Sequence, residues 1–200
     1  MTRKNPYQAD HRTRAARARG YPARSVFKLE EIDRRVKLLR PGQSVVDLGA
    51  APGSWSLYAA KRIGAKGRLL AIDLQEINQP FPPSVTVVQG DALTDADALH
   101  GQHGPYDVVL SDMAPKTTGD SFQNAYRSYE LVLAALGVGE RFGAPGSAFV
   151  GKIFMGQDFE AAKKSVQKAY SSCKIIRPSG TRDNSVEVFL VGIGKRDLAD

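Results

Sequence analysis

The residues best placed to do chemistry begin with a turn of small residues, Gly49-Ala50-Ala51-Pro52-Gly53, between the apolar run Val45-Val46-Asp47-Leu48 and the pair Ser54-Trp55. Small residues let a tight turn bring its backbone up to a ligand at the start of the next helix. The turn lacks the Gly-x-Gly-x-x-Gly spacing of a dinucleotide site. No lysine or threonine follows Gly53 to complete a phosphate loop, so pyrophosphate recognition is disfavoured. Twenty residues beyond Gly53 a second apolar run closes on Asp73, and a third runs into Gln89-Gly90-Asp91-Ala92. At strand ends, the first acid is placed to accept hydrogen bonds from both hydroxyls of a ribose, and the second from an adenine amino group. Either aspartate alone is as readily a helix cap or a turn residue. Together with the glycine turn, and without a phosphate clamp, they describe S-adenosylmethionine better than any other nucleoside cofactor. A fourth run ends in Ser111-Asp112-Met113-Ala114-Pro115, where the proline forces an abrupt exit from a sheet and leaves Asp112 at its rim.

The elements that must position these residues follow from hydrophobic periodicity. Val26, Leu29, Ile32, Val36 and Leu39 recur at helical spacing and Pro41-Gly42 closes the segment, which predicts a helix over about 23–39. Short apolar runs at Ser44 to Leu48, Arg68 to Ile72, Val85 to Gln89, Tyr106 to Ser111 and Ser147 to Gly151 read as buried parallel strands. Ser54 to Ile63, Ser121 to Phe142 and Asp158 to Tyr170 can be helical between them. Two further strands, about 173–177 and 186–192, are separated by the turn-rich stretch Pro178 to Asn184 and are expected to pair as an edge hairpin. The alternation predicts an α/β fold with helices on both faces of a mostly parallel seven-stranded sheet.

Bulk properties bound the rest. A chain of 200 residues with 42% hydrophobic content suits one domain, and no run of about 18 apolar residues or charged-then-apolar leader is present. A cytoplasmic protein with no membrane partner is expected. The single cysteine, Cys173, reads as a buried thiol, and His100 with His103 as a solvated loop rather than a metal site; no metal is expected. Of the net charge of +7, residues 1–24 hold seven bases (Arg3, Lys4, Arg12, Arg14, Arg17, Arg19, Arg24) against the one acid Asp10. Residues 1–22 therefore read as a basic arm suited to RNA phosphate, 23–194 as the single domain and 195–200 as a short tail; a solubilising tail, and an Arg-rich transit peptide though without an apolar helical face, are the other readings of the arm. Arg12, Arg14, Arg17, Arg19 and Arg24 are the candidate RNA contacts, and Arg34, Arg35, Lys37, Arg177 and Arg182 could extend the track.

Asp47-Leu48-Gly49-Ala50-Ala51-Pro52-Gly53-Ser54-Trp55 together with Ser111-Asp112-Met113-Ala114-Pro115 resembles the FtsJ/RrmJ family of ribose methyltransferases. The resemblance extends to Gly20-Tyr21-Pro22-Ala23-Arg24-Ser25-Val26-Phe27-Lys28-Leu29, to Gly151-Lys152-Ile153-Phe154 and to Ser185-Val186-Glu187-Val188-Phe189, and covers roughly residues 8–192. It implies a Rossmann-like S-adenosylmethionine-dependent methyltransferase with a catalytic Lys-Asp-Lys-Glu tetrad on Lys28, Asp112, Lys152 and Glu187. It also implies cofactor contacts at Gly53, Trp55, Asp73, Asp91 and Asp112. The implied reaction is 2'-O-methylation of RNA by a monomer, in the bacterial branch on a uridine of large-subunit ribosomal RNA in the peptidyl-transferase region. Transfer RNA is the alternative substrate, and a non-catalytic RNA-binding module and a small-molecule methyltransferase are the less favoured alternatives. The stretch Arg177 to Asn184 departs from the family's usual basic run before the closing strand.

Weighed without the family, Asp112 and Lys152 end adjacent strands and face one crevice. Lys28 lies at the edge of its helix's apolar stripe, free to turn inward or to solvent. Glu187 alternates with Val186 and Val188, the pattern of an outward polar face. For a ribose hydroxyl, Lys152 could take up the proton or could remain charged and orient the oxygen, and both roles are open at this level.

Overall fold

The computed structural model describes residues 6–94, 96–179 and 186–197. Arg3, Lys4, Arg182, Ser185 and the last residues of the tail lie outside them. The apolar runs form a seven-stranded sheet of β1 (Ser44–Leu48), β2 (Arg68–Asp73), β3 (Val85–Gln89), β4 (Tyr106–Ser111), β5 (Gly143–Phe154), β6 (Tyr170–Ile176) and β7 (Glu187–Lys195), ordered β3-β2-β1-β4-β5-β7-β6. The first five strands are parallel, and β7 runs antiparallel to both β5 and β6. The expected edge hairpin is thus present, with β7 inserted inside the sheet. From β1 the chain winds outward through β2 and β3, then returns to β4 on the other side of β1. The reversal opens a crevice at the carboxyl ends of β1 and β4.

Alternate strand residues feed two cores. Val46, Leu48, Leu70, Val109 and Phe149 pack beneath α5 (Ser121–Phe142) and α6 (Phe159–Ala169). Val45, Leu69, Val108, Leu110 and Val150 pack beneath α2 (Val26–Val36) and α3 (Ser54–Ile63). The parity places Asp47 toward α3, where its carboxylate accepts a 2.6 Å hydrogen bond from Ser56.

Several expectations are corrected. The helix predicted over 23–39 runs only from Val26 to Val36, because Lys37 takes a left-handed conformation (φ 54°) and its N–H donates to the Asp33 carbonyl. The next turn is held by the Asp33 side chain, well before Pro41-Gly42. β3 is an outer strand and largely exposed rather than buried. β5 is longer at both ends than its apolar run. Residues 6–18 and 96–103 form two further helices, α1 (Pro6–Ala18) and α4 (Ala96–His103). His100 is no loop residue: it is buried on α4, with Nδ1 3.0 Å from the Tyr106 hydroxyl and Nε2 2.9 Å from the Ala92 carbonyl. Burial pushes its imidazole below the usual range. Cys173 is half-buried rather than fully enclosed, and burial raises its thiol. Among the described residues no helix is long and apolar enough to cross a membrane.

Asp33 ties α2 to α3. It is 2% exposed, and its oxygens accept from Leu39 N at 2.8 Å, the Tyr58 hydroxyl at 2.8 Å and Arg62 Nε at 2.9 Å. Asp33→Ala strands the Leu39 N–H and the Tyr58 hydroxyl. Urea unfolding is expected to show a loss of roughly 2–3 kcal/mol, since an orphaned buried group is worth about 1–3 and the half-buried Tyr58 hydroxyl adds less than the buried Leu39 N–H. An unchanged midpoint would remove this role.

Candidate active site

Parallel pairing puts Ser111 of β4 opposite both Leu48 of β1 and Gly151 of β5, so the next residues, Asp112 and Lys152, emerge side by side at the crevice. Antiparallel pairing sets Glu187, the first residue of β7, opposite Phe154, and Phe189 opposite Lys152. Glu187 and Phe189 therefore share the face covered by α2. There Lys28, on the first turn of that helix, reaches down: its Nζ is 2.6 Å from Glu187 Oε1, 3.9 Å from Asp112 Oδ1 and 5.8 Å from the Phe189 ring centre. Lys152 Nζ lies 2.9 Å from Asp112 Oδ1 and donates to the Asp112 carbonyl. Side-chain exposures of 18% (Lys28), 18% (Asp112), 6% (Lys152) and 10% (Glu187) show two charge pairs drawn together under cover. Two lysines and two acids balance formally, which offsets the desolvation of each. The outward face suggested by the alternation around Glu187 is not where this side chain goes.

The glycine turn lies across the same crevice. Gly49 and Gly53 have φ of 74° and 100°, and a Cβ on Gly49 would fall 2.5 Å from Met113 Cγ. Asp73 fastens the turn, accepting from Ala51 N and Gln75 N, both at 2.8 Å, and each oxygen keeps a lone pair for a ligand hydroxyl. Asp91 accepts from Leu93 N and the Thr94 hydroxyl, both at 2.9 Å; these bonds hold its carboxyl below the ordinary range. It lines a cavity of about 470 Å³ with Gly90, Thr94, Ala98, Leu99 and Gln102. Trp55 is buried, its indole N–H bonded to the Ser25 carbonyl at 2.9 Å and its ring 5.6 Å from that of Phe189. Its side chain braces α3 against α2 and β7.

Two residues without an expected role stand out. Asp47 is completely buried and its Oδ1 has no hydrogen-bond partner. Burial, with the charges of Asp112 and Asp73, pushes its carboxyl up to about 7 against the opposing bond from Ser56. The signal was an acid inside a wholly apolar strand. Glu31, buried one turn beyond Lys28, accepts from Ser179 N at 2.8 Å and Ser179 Oγ at 2.7 Å and pairs with Arg35. Burial works against its ionised form, but the Ser179 bonds and Arg35 outweigh it and hold the carboxyl low. The connection that leads into Glu187 is thereby pinned to the helix that carries Lys28.

The basic segment divides. Arg19 forms a bidentate pair with Glu30 at 2.8 and 2.9 Å and lies over the Tyr21 and Phe27 rings, so its charge is engaged internally. Arg12 donates to the Ser179 carbonyl at 3.1 Å. Arg14 and Arg17 are exposed, and Arg24 is half-buried. Ala16 packs with Tyr21, Val26 and Leu57, which docks α1 on the body.

The model of FtsJ-like methyltransferases matches residues 21–195. The chain belongs to this methyltransferase family. A relative from Sorangium cellulosum named Ribosomal RNA large subunit methyltransferase E is 60% identical over 194 residues, covering 96% of this chain and 92% of its own. A protein of the same name from Nitratidesulfovibrio vulgaris is 46% identical over 192 residues, with 94% of each chain covered. Among solved structures, a ribosomal RNA methyltransferase from Plasmodium falciparum superposes with a TM-score of 0.77 at 23% identity, over 88% of this chain and 98% of that one. The FtsJ-like methyltransferase described here thus has the Rossmann-like fold, and its glycine turn, Asp112 and Lys152 all lie at the strand-order reversal.

Proposed function

We propose that this chain is an S-adenosylmethionine-dependent RNA ribose 2'-O-methyltransferase, acting as a monomer on a uridine of large-subunit ribosomal RNA in the peptidyl-transferase region. The observation that carries the reading is the convergence of Lys28, Asp112, Lys152 and Glu187 beside the glycine turn. The names of the similar proteins point to the same class of RNA.

The residues fit the cofactor. Asp73 and Asp112 flank the turn with carboxylates suited to a cation, and each Asp73 oxygen, already bonded to one backbone N–H, retains a lone pair for a ribose hydroxyl. Gly53, the Trp55 backbone, Asp73, Asp91 and Asp112 would hold it. The chemistry such a cofactor supplies is an electrophilic methyl group on a sulfonium sulfur. The protein's own task is to present the hydroxyl oxygen in line with that carbon, since good alignment is worth up to roughly 7–11 kcal/mol in intramolecular cases. Lys152 acts from the neutral amine left when its own proton passes to solvent, and in taking the hydroxyl proton it regains the ammonium that Asp112 pairs with. Asp112 fixes Lys152 and Glu187 fixes Lys28, so that two long side chains that would otherwise be mobile are held by carboxylate pairing where the oxygen would lie.

The test is incubation with tritiated S-adenosylmethionine and, separately, free ribosomal RNA, ribosomal subunits and transfer RNA, followed by digestion to nucleosides. Label in 2'-O-methyluridine from large-subunit RNA is expected; label confined to bases or to no RNA overturns the proposal.

Exposed arginines of α1 then serve as phosphate contacts. Replacing Arg12, Arg14 and Arg17 together by Gln should flatten the dependence of log affinity on log salt by about 2, at about 0.7 per single-strand phosphate, with cofactor affinity unchanged. Parallel salt plots for the two proteins would remove α1 from the RNA interface.

A further inference from the structure

Four of the large apolar side chains most exposed among the described residues gather on one lip of the crevice. They are Phe122 (63%), Tyr126 (47%), Met155 (45%) and Val186 (51%). The others, Leu74, Val87 and Ile175, lie on or beside the outer strands β3 and β6. Phe122 and Tyr126 are one turn apart on α5 and share a face. Two contacts join α5 to the end of β5, and a third joins the ends of β5 and β7. Gly156 is so close to α5 that a Cβ there would fall 2.6 Å from that of Ala125. Phe154 N donates to Ser128 Oγ at 2.9 Å, and Met155 N donates to the Val186 carbonyl at 2.8 Å. Val186 directly precedes Glu187, and Met155 follows Lys152 by three residues. The apolar lip is therefore continuous with the tetrad.

We infer that this lip is a stacking platform for unpaired nucleobases next to the ribose being methylated, with Phe122 and Tyr126 as its rings. The inference rests on the RNA methylation proposed above. A base is joined to its ribose one carbon away from the reacting hydroxyl, so once that hydroxyl sits between Lys28 and Lys152 the base and its neighbours must lie along the walls of the crevice. An unstacked base loses the contacts it had in the RNA, and an aromatic side chain restores them. The rings are held for this purpose. Tyr126 lies 6.2 Å from Tyr129, which packs on the core, and the first turn of α5 is capped by Asp120 and tied by the bond from Thr118 N to Asn124 Oδ1 at 2.9 Å. Lys116 and Arg127, on either side of the two rings in the sequence, are exposed. Aromatic faces interleaved with cations suit a base and its phosphate, whereas the centre of a protein-docking surface is depleted of charge.

The experiment compares wild type with Phe122→Ala/Tyr126→Ala, Phe122→Leu, Phe122→Trp and, as a control on β6, Ile175→Ala. RNA affinity is read from quenching of 2-aminopurine placed beside the target nucleotide, cofactor affinity by calorimetry, and association state by light scattering. Wild type must first methylate the RNA; if it does not, the RNA reading falls and this inference with it. Given methylation, the double variant should bind RNA about 5- to 100-fold more weakly, the range for losing a stacked base, with cofactor affinity intact. Phe122→Trp should retain affinity and Phe122→Leu should lose it, while Ile175→Ala behaves as wild type. Unchanged RNA affinity in the double variant overturns the platform while leaving the RNA reading standing. Equal affinity of the Leu and Trp variants, or a change in association state without a change in RNA affinity, also overturns it.

Discussion

Lys152→Ala is expected to lower single-turnover methylation by about 10²–10⁴-fold at saturating cofactor and RNA, the range for removing a positioned proton-transfer group. The expectation comes from placement. Lys152 is the most enclosed of the four side chains, held by both the carboxylate and the carbonyl of Asp112, whereas the Lys28 nitrogen stands farther from that carboxylate, at 3.9 Å, and pairs with Glu187. Since the ammonium is not the only support of the fold there, the variant should bind cofactor and remain folded. Retention of near-normal turnover would remove Lys152 from its assigned role, and equal losses in cofactor affinity would make it a binding residue.

The second large effect is a dependence of stability on pH that traces to Asp47. Its folded carboxyl sits at about 7, whereas an aspartate in an unfolded chain titrates near 3.9. The native state therefore holds a proton that the unfolded chain releases. That contribution is complete below about pH 4 and is lost as pH rises through about 7, amounting to on the order of 4 kcal/mol across the window. Asp47→Asn keeps an acceptor for Ser56 and cannot ionise. Relative to wild type it should gain stability steadily between pH 4 and 8, read as a difference in melting temperature that widens by roughly 8–16 °C. Glu31 and Asp91, both held low, contribute in the opposite sense, losing stability as pH falls, and they are common to both proteins. Parallel profiles for the two proteins would show that Asp47 is ionised in the native state.

Much of this was legible in the residues, and what was not has physical causes. Apolar runs closed by Asp73 and Asp112 placed the ends of β2 and β4 and the crevice, because parallel strands covered on both faces need continuous apolar sequence, whereas β5 runs two residues beyond Lys152. Glu187 was legible only by resemblance. Its alternation with valines describes an outward residue, and its burial arises from the insertion of β7 between β5 and β6 and from Lys28 reaching over from α2, neither of which is local. α1 is largely polar, and its contacts with the body include the small residue Ala16 and the Arg12 bond to the Ser179 carbonyl, signals too slight for periodicity. α4 is short, and His100 resembles a surface residue until Tyr106 and Ala92 enclose it. β3 reads as buried because its residues are valines, yet it pairs only with β2 and stays exposed. The lip of Phe122 and Tyr126 left no trace in the periodicity, because exposure of an aromatic on a helix is decided by what fails to pack against it.

The position of β7 bears on biosynthesis. β5 can lie against β4 as soon as it leaves the ribosome, but its other edge stays bare until residues through 195 have been made and threaded between it and β6. A nascent chain stalled before β7 holds Lys28, Asp112 and Lys152 without the carboxylate nearest to Lys28. Catalytic competence is then a late event in synthesis, and the same unfilled edge is where a chaperone, or another unfinished copy, would take hold.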